Sequence, residues 1–425
     1  MIYNVSQKKQ PDKHPCFNIE SSKKYARVHL PVAPACNIQC NFCNRKYDCV
    51  NESRPGVTSS VLDSDTAVEY LQKLSKYLGN ISVVGIAGPG DPFANEKEVL
   101  DTFRKINSVM PDKIFCLSTN GLNLYPYIDE ISELGVSHVT ITINATDPKI
   151  GAKIYSWIKF ENKVYKGEEA ARILLSRQLA CIPKLKEKGI IVKINTIILP
   201  GINDHHIPEV ARVTKELGAD IMNCIPLLPT KGTPFENLKA PNNEMILRVR
   251  KEAMKYLPMM THCARCRADA AGLLGHDLKE SYEIMHEVLK HRSNLKLRPY
   301  VAAASYEGIL VNQHLAEAKS VCIFEKSNDK FRYIGKRKMP PAGGRNKRWL
   351  EMVELLKDCR AILVGGIGPT PEKFLEKSGI KIVQMTGMIS EGLDGVYNNK
   401  PIRSIKKSER IRCSTGCSGD GTGCN

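Results

Sequence analysis

The sequence predicts an α/β protein, a TIM-type (β/α) barrel followed by a small α/β unit. Three observations carry that prediction. Before residue 285, strand-like apolar runs alternate with amphipathic helical patterns at the spacing of parallel βαβ units, at least six times over. Around residues 277–297 the chain turns charged and helical, and beyond it short strands and helices follow one another in a different rhythm. The length, 425 residues, is ample for a large barrel plus a smaller unit.

The elements follow in order. Residues 1–25 are polar and irregular, but they contain His14-Pro15-Cys16. A first strand at 26–32 leads into a Cys-rich loop at 33–56. Helical periodicity over 59–79 rests on Val61, Ala67, Leu71, Leu74 and Leu78. A buried second strand at 81–87 ends in Gly88-Pro89-Gly90-Asp91-Pro92, a turn that no helix tolerates. Strands three to six are expected at 113–119, 138–144, 190–198 and 220–227, with helices near 96–108, 125–134, 167–188 and 206–217. In such a barrel the chemistry sits on the loops after the strands. The smaller unit shows strands at 299–305, 308–312 and 331–335, a helix at 346–357, a strand at 361–364, a helix near 371–377 and a strand at 381–385. The domain reading is 1–285 for the barrel with its N-terminal extension, 295–400 for the small unit and 401–425 for a basic, Gly- and Cys-containing tail, expected to be flexible.

Composition excludes several classes. With 42% hydrophobic and 25% charged residues the chain is globular rather than disordered. No apolar run approaches the roughly 20 residues of a membrane span, and the polar segment 1–13 has no signal-peptide pattern, so a cytoplasmic protein is expected. The net charge is +17, yet aromatics are only 6% and Lys and Arg are scattered, with no RNP, zinc-finger or helix-turn-helix pattern. An anionic ligand or protein partner fits this excess equally well, and no nucleic-acid partner is expected. Fifteen cysteines, an odd count in a chain without secretory features, argue for structural, metal-binding or redox thiols rather than a disulfide framework.

The spacing of those cysteines is the strongest signal. Cys36-Asn37-Ile38-Gln39-Cys40-Asn41-Phe42-Cys43 is a CxxxCxxC directly after the first strand. Three thiolates so spaced ligate three irons of a 4Fe-4S cluster and leave the fourth open to a chelating substrate. Zinc is the alternative, but it favours four ligands in paired spacing. The pattern resembles the radical S-adenosylmethionine superfamily. There the methionine amino and carboxylate groups chelate the open iron, and one electron from the cluster releases a 5′-deoxyadenosyl radical. By that resemblance Gly88, Gly90 and Asp91 stand where the superfamily binds the methionine amino group. Thr119 and Asn120 at the end of the third strand, Thr142 and Asn144 at the end of the fourth, and Ile194 and Asn195 on the fifth are candidates to hold ribose, carboxylate and adenine. Each could equally be a strand-end cap. Further candidate iron ligands are Cys49, Cys116 within the third strand, the Cys263-Ala264-Arg265-Cys266 pair, and His14 with Cys16. Cys181, Cys224, Cys322 and Cys359 sit in apolar contexts and are expected to pack.

The run from Ala35 to Cys49, the segment Asn51–Gly56, Ala87–Pro92, Thr119-Asn120-Gly121, Val139–Asn144 and Cys263–Gly275 together resemble the NifB family of nitrogenase iron–molybdenum cofactor biosynthesis proteins, over nearly the whole chain. The small unit, through Val311–Leu315, resembles the NifX/NafY-like cofactor-binding domains, which implies a ribonuclease H-like, NifX-type fold. The resemblance implies two further 4Fe-4S clusters beside the radical one. These are fused with a carbide and one more sulfide into an 8Fe-9S-carbide precursor, the carbide coming from the methyl group of one S-adenosylmethionine and a second supplying the radical. By family pattern His14, Cys49 and Cys116 hold one auxiliary cluster and Cys16, Cys263 and Cys266 the other. Implied partners are iron–sulfur donor proteins, carrier and scaffold proteins of the NifX and NifEN type, and an electron donor such as ferredoxin. Glu52 and Arg54 are candidate catalytic residues, as an iron ligand or proton acceptor, or simply a loop ion pair. Lys336, Arg337, Lys338, Arg345, Lys347 and Arg348 around Gly343-Gly344 could cradle an anionic product, and His314 could touch it. Tail residues Cys413, Cys417 and Cys424 could pass on iron–sulfur units. Two other readings compete: a different radical maturase with auxiliary clusters, and a non-catalytic iron–sulfur carrier.

Overall fold

The computed structural model describes residues 13–44, 58–264, 266–327, 330–341, 343, 346–398 and 400–402. It divides into two compact units, Met1–Leu289 and Lys290–Asn425.

The first unit is built on β1 (Ala26–His29), β2 (Ile38–Cys40), β3 (Ile81–Ile86), β4 (Ile114–Thr119), β5 (Val136–Thr142), β6 (Tyr155–Phe160), β7 (Lys163–Tyr165), β8 (Ile191–Ile198), β9 (Ile221–Pro226), β10 (Ala271–Leu273) and β11 (His276–Asp277). The main sheet runs β11-β10-β1-β3-β4-β5-β8-β9, with β1, β3, β4, β5, β8 and β9 parallel and β10 and β11 antiparallel at one edge. These are the six parallel strands the alternation predicts. Helices Ser64–Leu74, Glu96–Val109, Ile128–Glu133, Gly167–Glu187 and Ile207–Glu216 connect them. Leu117, Val139, Ile141, Val192 and Ile194 face these helices in one apolar cluster with Ile182, Leu185 and Val210.

The intervening positions point the other way, as strand alternation requires. Three rows cross the sheet in register. His29, Gly85, Cys116 and His138 form one. Ser118, Thr140 and Lys193 form the next, and Thr142, Asn195 and Asn223 the third. The barrel interior is therefore polar across its middle strands, where a packed barrel core of this type carries bulky branched residues.

Several elements escape the sequence pattern. The Cys-rich loop contains β2, which pairs antiparallel with β6 of a small β2-β6-β7 sheet. Three residues are too few to show a period. Helices Pro148–Ile154 and Asn243–Ala253 are likewise additions, opened by the side-chain caps Asp147 and Asn242.

The second unit holds β12 (Tyr300–Ala303), β13 (Leu310–Val311), β14 (Ser320–Ser327), β15 (Lys330–Lys338), β16 (Cys359–Val364), β17 (Lys381–Gln384) and β18 (Gly387–Met388). Its sheet order is β15-β14-β12-β16-β17, and β13 pairs with β18 apart from it. The consecutive strands expected at 299–305 and 308–312 thus belong to different sheets. The unforeseen β14 is the true partner of both β12 and β15. One face packs Trp349, Met352 and Leu375, the other Ile389 and Leu393. Among the described residues no helix is long and apolar enough to cross a membrane. Cys181, Cys224, Cys322 and Cys359 are all buried, as expected of packing thiols.

Candidate metal centre

One cavity in the barrel is lined by His14, Cys16, Cys116, Cys263 and Cys266, five of the six auxiliary ligand candidates. The sixth, Cys49, lies outside the described residues, as do Glu52, Arg54, Gly344, Arg345 and the tail cysteines 413, 417 and 424. Cys116 arrives from the middle of β4, which the alternation places facing inward. His14 and Cys16 arrive from a turn closed by Phe17 and Asn18 N–H groups donating to the His14 carbonyl, both at 3.1 Å. His262 Nε2 donates to the Pro15 carbonyl at 3.1 Å and so ties that turn to the segment bearing Cys263 and Cys266. Among the described residues no three His, Cys, Asp or Glu side chains gather at the spacing one metal ion needs. The thiols surround a space instead of a point, as a multi-iron cluster requires.

A buried arginine organises one wall. Arg27, on β1, is 1% exposed. Its guanidinium donates to the Gly272 and Leu273 carbonyls at 2.7 and 2.9 Å, to Asp277 at 2.6 Å and to Cys266 Sγ at 3.2 Å. The last bond favours the thiolate form that iron binds. Without iron, burial pushes the Cys266 thiol up to about 11 and Cys116 up to about 12, with Arg27 and Lys193 respectively opposing it. Burial likewise raises Cys16, again against Lys193. The imidazoles move down: His29 to about 4 and His138 to about 3, chiefly by burial, and His14 well below its ordinary value for the same reason. Neutral imidazoles are the form that ligates metal.

The CxxxCxxC segment folds as β2 and the turn after it. Gln39 Nε2 donates to the Cys40 and Cys43 carbonyls at 3.0 and 2.6 Å, and Phe42 is buried beneath. Asn120 Nδ2 bonds Asn37 Oδ1 at 2.7 Å and lies 3.9 Å from Cys36 Sγ. The glycine-rich turn is clamped against this loop. Gly90 N donates to the Ala33 carbonyl at 2.6 Å and Asp91 N to the Ala35 carbonyl at 2.8 Å. A Cβ on Gly90 would stand 2.0 Å from the Ala35 oxygen, so only glycine fits. Gly88 accepts from Ala33 N at 3.2 Å. Asp91 is fully buried and accepts from Thr119 Oγ1, Asn120 N and Phe93 N, so it braces the turn against the end of β4.

The other predicted ligand-holding residues divide in two. Asn144 spends its side chain on Tyr155 and on Ile197 N, and the Ile194 side chain lies in the apolar core, leaving only its backbone for a ligand. Among the described residues Thr142 Oγ1 and both polar atoms of Asn195 are buried without a partner. So is Ser118 Oγ, which the sequence places with Thr119 and Asn120 at the end of the third strand, and so are Asn37 Nδ2 and both ends of Asn223, which the sequence did not single out as ligand-holding residues. Buried orphans of this kind are rare unless a ligand completes them. Three thiols on one loop beside a row of uncompleted hydroxyl and amide groups suit a 4Fe-4S cluster with S-adenosylmethionine. His29 and Lys193 also line the cavity and were not anticipated. Neither has a sequence spacing that marks it, and only the register sets His29 in the row of Cys116 and His138 and Lys193 beside Thr140 in the next row.

In the second unit the basic set is largely engaged. Arg337 pairs with Asp358 at 2.6 Å. Buried Arg348 donates to the Pro340 and Ala316 carbonyls. Lys336 bonds the Tyr306 carbonyl, whereas Lys338 and Lys347 are exposed. His314 lies against Gly366.

Comparison with known proteins adds the following. Residues 30–213 match the Radical SAM superfamily, and residues 298–399 match the family described as Dinitrogenase iron-molybdenum cofactor. The chain is 47% identical over 417 residues to the FeMo cofactor biosynthesis protein NifB of Chlorobaculum tepidum, covering 97% of this chain and 98% of that protein. It is 38% identical to the NifB of Klebsiella pneumoniae, covering 87% and 86%. Among solved structures, Streptococcus suis SuiB bound to S-adenosylmethionine superposes with a TM-score of 0.41 at 13% identity, over 56% of this chain and 50% of that one.

Proposed function

The chain belongs to the NifB family of FeMo cofactor biosynthesis proteins, radical S-adenosylmethionine proteins with a NifX-like C-terminal domain, and from that premise we propose that it fuses two 4Fe-4S substrate clusters with a carbide and a sulfide into the 8Fe-9S-carbide precursor. The observation that supports this reading is the cavity in which His14, Cys16, Cys116, Cys263 and Cys266 meet. Cys36, Cys40 and Cys43 would hold the radical 4Fe-4S cluster, which would supply the electron for cleavage of S-adenosylmethionine.

The chain's own residues do the rest. Asn120, Thr142 and Asn195 orient the cosubstrate, and Asp91 fixes the turn that holds its amino end. The cysteines hold the substrate clusters through thiolates, and imidazole makes a more labile contact for a cluster that must leave. Glu52 and Arg54 act on the methyl-bearing intermediate, the carboxylate as proton acceptor or iron ligand. The second unit retains or hands over the product. Iron–sulfur donors, NifX- and NifEN-type carriers and a ferredoxin-type reductant are the partners.

The test is anaerobic reconstitution with iron and sulfide, followed by dithionite and S-adenosylmethionine. About twelve irons per chain, with both S-adenosylhomocysteine and 5′-deoxyadenosine released, is the expected result. About four irons with 5′-deoxyadenosine alone would replace cluster fusion by ordinary radical chemistry. Neither nucleoside would indicate a carrier. Cys40→Ala is expected to abolish 5′-deoxyadenosine.

A further inference from the structure

Arg27 puts a positive charge on the cavity wall that carries Cys16 and Cys266, and no step of the proposed reaction uses it. We propose that Arg27 is a positioning residue for the iron–sulfur cluster held at Cys16, Cys263 and Cys266: it fixes Cys266 by an N–H···S bond, and its charge raises that cluster's reduction potential. The inference rests on the cluster-fusing reading above, which supplies the cluster.

The strand dictates where the arginine goes. On β1, Ala26 and Val28 pack in the apolar core, so Arg27 and His29 face the other way, into the cavity. Arg27, Gly272 and Asp277 then stand in one cross-strand row over β1, β10 and β11. Gly272 puts no side chain between the guanidinium and the Asp277 carboxylate, and a Cβ there would come 2.5 Å from the His276 carbonyl oxygen. Nη1 donates to the Gly272 and Leu273 carbonyls, and Nη2 to Asp277 and to Cys266 Sγ. Three of these bonds pin the fork to the β10–β11 hairpin, and the fourth aims it at the thiol. The remaining donor, Nε–H, is buried without a partner among the described residues.

Charge is the second half. A guanidinium stays protonated in proteins. Its side chain is 1% exposed, whereas that of Asp277 is 32% exposed. Water therefore screens the carboxylate more than the cation, and the buried wall keeps a net positive field. That field reaches two thiols, since Arg27 opposes the effect of burial at both Cys16 and Cys266. Reduction of a thiolate-ligated cluster adds one negative charge. A neighbouring cation and an N–H bond to sulfur both favour the more negative state and so raise the potential. A purely structural tether between β1 and its hairpin has no such sign.

The experiment reads that sign rather than activity. In the full chain carrying Cys40→Ala and Cys116→Ala, the radical cluster and the other auxiliary cluster are lost, and about four irons are expected to remain after anaerobic reconstitution. A redox titration followed by electron paramagnetic resonance gives the midpoint potential of the cluster that is left. Arg27→Gln keeps N–H donors but carries no charge. Its midpoint is expected to fall by about tenfold or more in the reduction equilibrium, which is about 59 mV per tenfold for one electron. Arg27→Lys keeps the charge and should recover most of that shift. Asp277→Asn keeps an acceptor for the guanidinium but removes the opposing charge, so its midpoint should rise. Thermal unfolding shows whether Arg27→Gln folds, and Asp277→Asn decides the matter where it does not. A parental midpoint in folded Arg27→Gln or in Asp277→Asn, or a shift of both in the same direction, would overturn the proposal and leave Arg27 as a tether. Absence of any cluster from the chain carrying only Cys40→Ala and Cys116→Ala would be a different failure, that of the cluster reading itself, and would take the proposal with it.

Discussion

Lys193 carries its ammonium group into a cavity whose described walls hold thiols, imidazoles and amides but no carboxylate. It is 5% exposed, and the contact recorded for it is with the ring of Phe17, 5.0 Å from its centroid. A buried cation without an anion costs several kcal/mol, and under the function proposed above a thiolate-ligated iron–sulfur cluster would be its anion. Two opposite effects follow for Lys193→Met. The metal-free chain should melt higher, by about 2–4 °C for each kcal/mol recovered in a unit of this size. The loaded chain should lose auxiliary iron to a chelator several-fold faster. A melting temperature that falls, or iron loss at the parental rate, would show that the lysine is satisfied within the protein. The cysteine ligand candidates at CxxxCxxC and CxxC spacing were legible in the sequence because such thiols have few other uses in a reduced chain, whereas Cys16, Cys49 and Cys116 rested on the family resemblance. Lys193 and His29 were not legible. A single lysine in Ile191–Ile198 or a single histidine in Ala26–His29 has no spacing to read, and each acquires meaning only when the register sets His29 in the row of Gly85 and Cys116 and Lys193 beside Thr140 in the next.

At the scale of elements, the Gly88–Pro92 turn and the CxxxCxxC loop are one structure made from two chain segments. The turn after β3 hydrogen-bonds the backbone of residues 33 and 35, and Asn95 both donates to and accepts from Ala35. Gly90 is the contact point. Gly90→Ala places a methyl against the Ala35 carbonyl, which cannot rotate away as a side chain would, so the turn must withdraw. Overpacking of this kind costs about 1–3 kcal/mol. The expected outcome is a lower melting temperature, together with weakened perturbation of the radical cluster's electron paramagnetic resonance signal by S-adenosylmethionine. Iron bound at the auxiliary ligand candidates proposed above, which lie on other segments, should be spared. Equal loss from all clusters would mean that Gly90 serves global stability only. The parallel strands that organise this arrangement were legible because buried strands and amphipathic helices have different periods. What stayed hidden was short or locally capped: β2, β6 and β7, the hairpin β10–β11, and the pairing of β14 between β12 and β15. In each case partner strands distant in sequence, not local pattern, decide the structure.

For the whole molecule the question is what each unit must contribute. Every described ligand candidate, the cavity they line and the glycine-rich turn belong to the first unit. The second has its own sheet, with an apolar cluster on either face, and matches the cofactor family by itself over residues 298–399. The boundary falls within the helix Glu280–Leu297, whose Ile284, Met285 and Val288 are part of the first unit's core. A cut at residue 289 would remove the helix's last two turns and fray residues the barrel packs upon. A chain ending at Leu297 keeps the whole helix. Such a chain should bind the same iron per chain as the parent and form 5′-deoxyadenosine and S-adenosylhomocysteine at rates within about twofold, since every described residue that lines the cavity belongs to the first unit. What it should lose is retention. If the second unit holds the finished anionic cluster, the shortened chain will release product on a desalting column that the parent keeps. A matching loss of nucleoside formation would mean instead that the second unit takes part in the chemistry, and unchanged retention would confine it to docking partners.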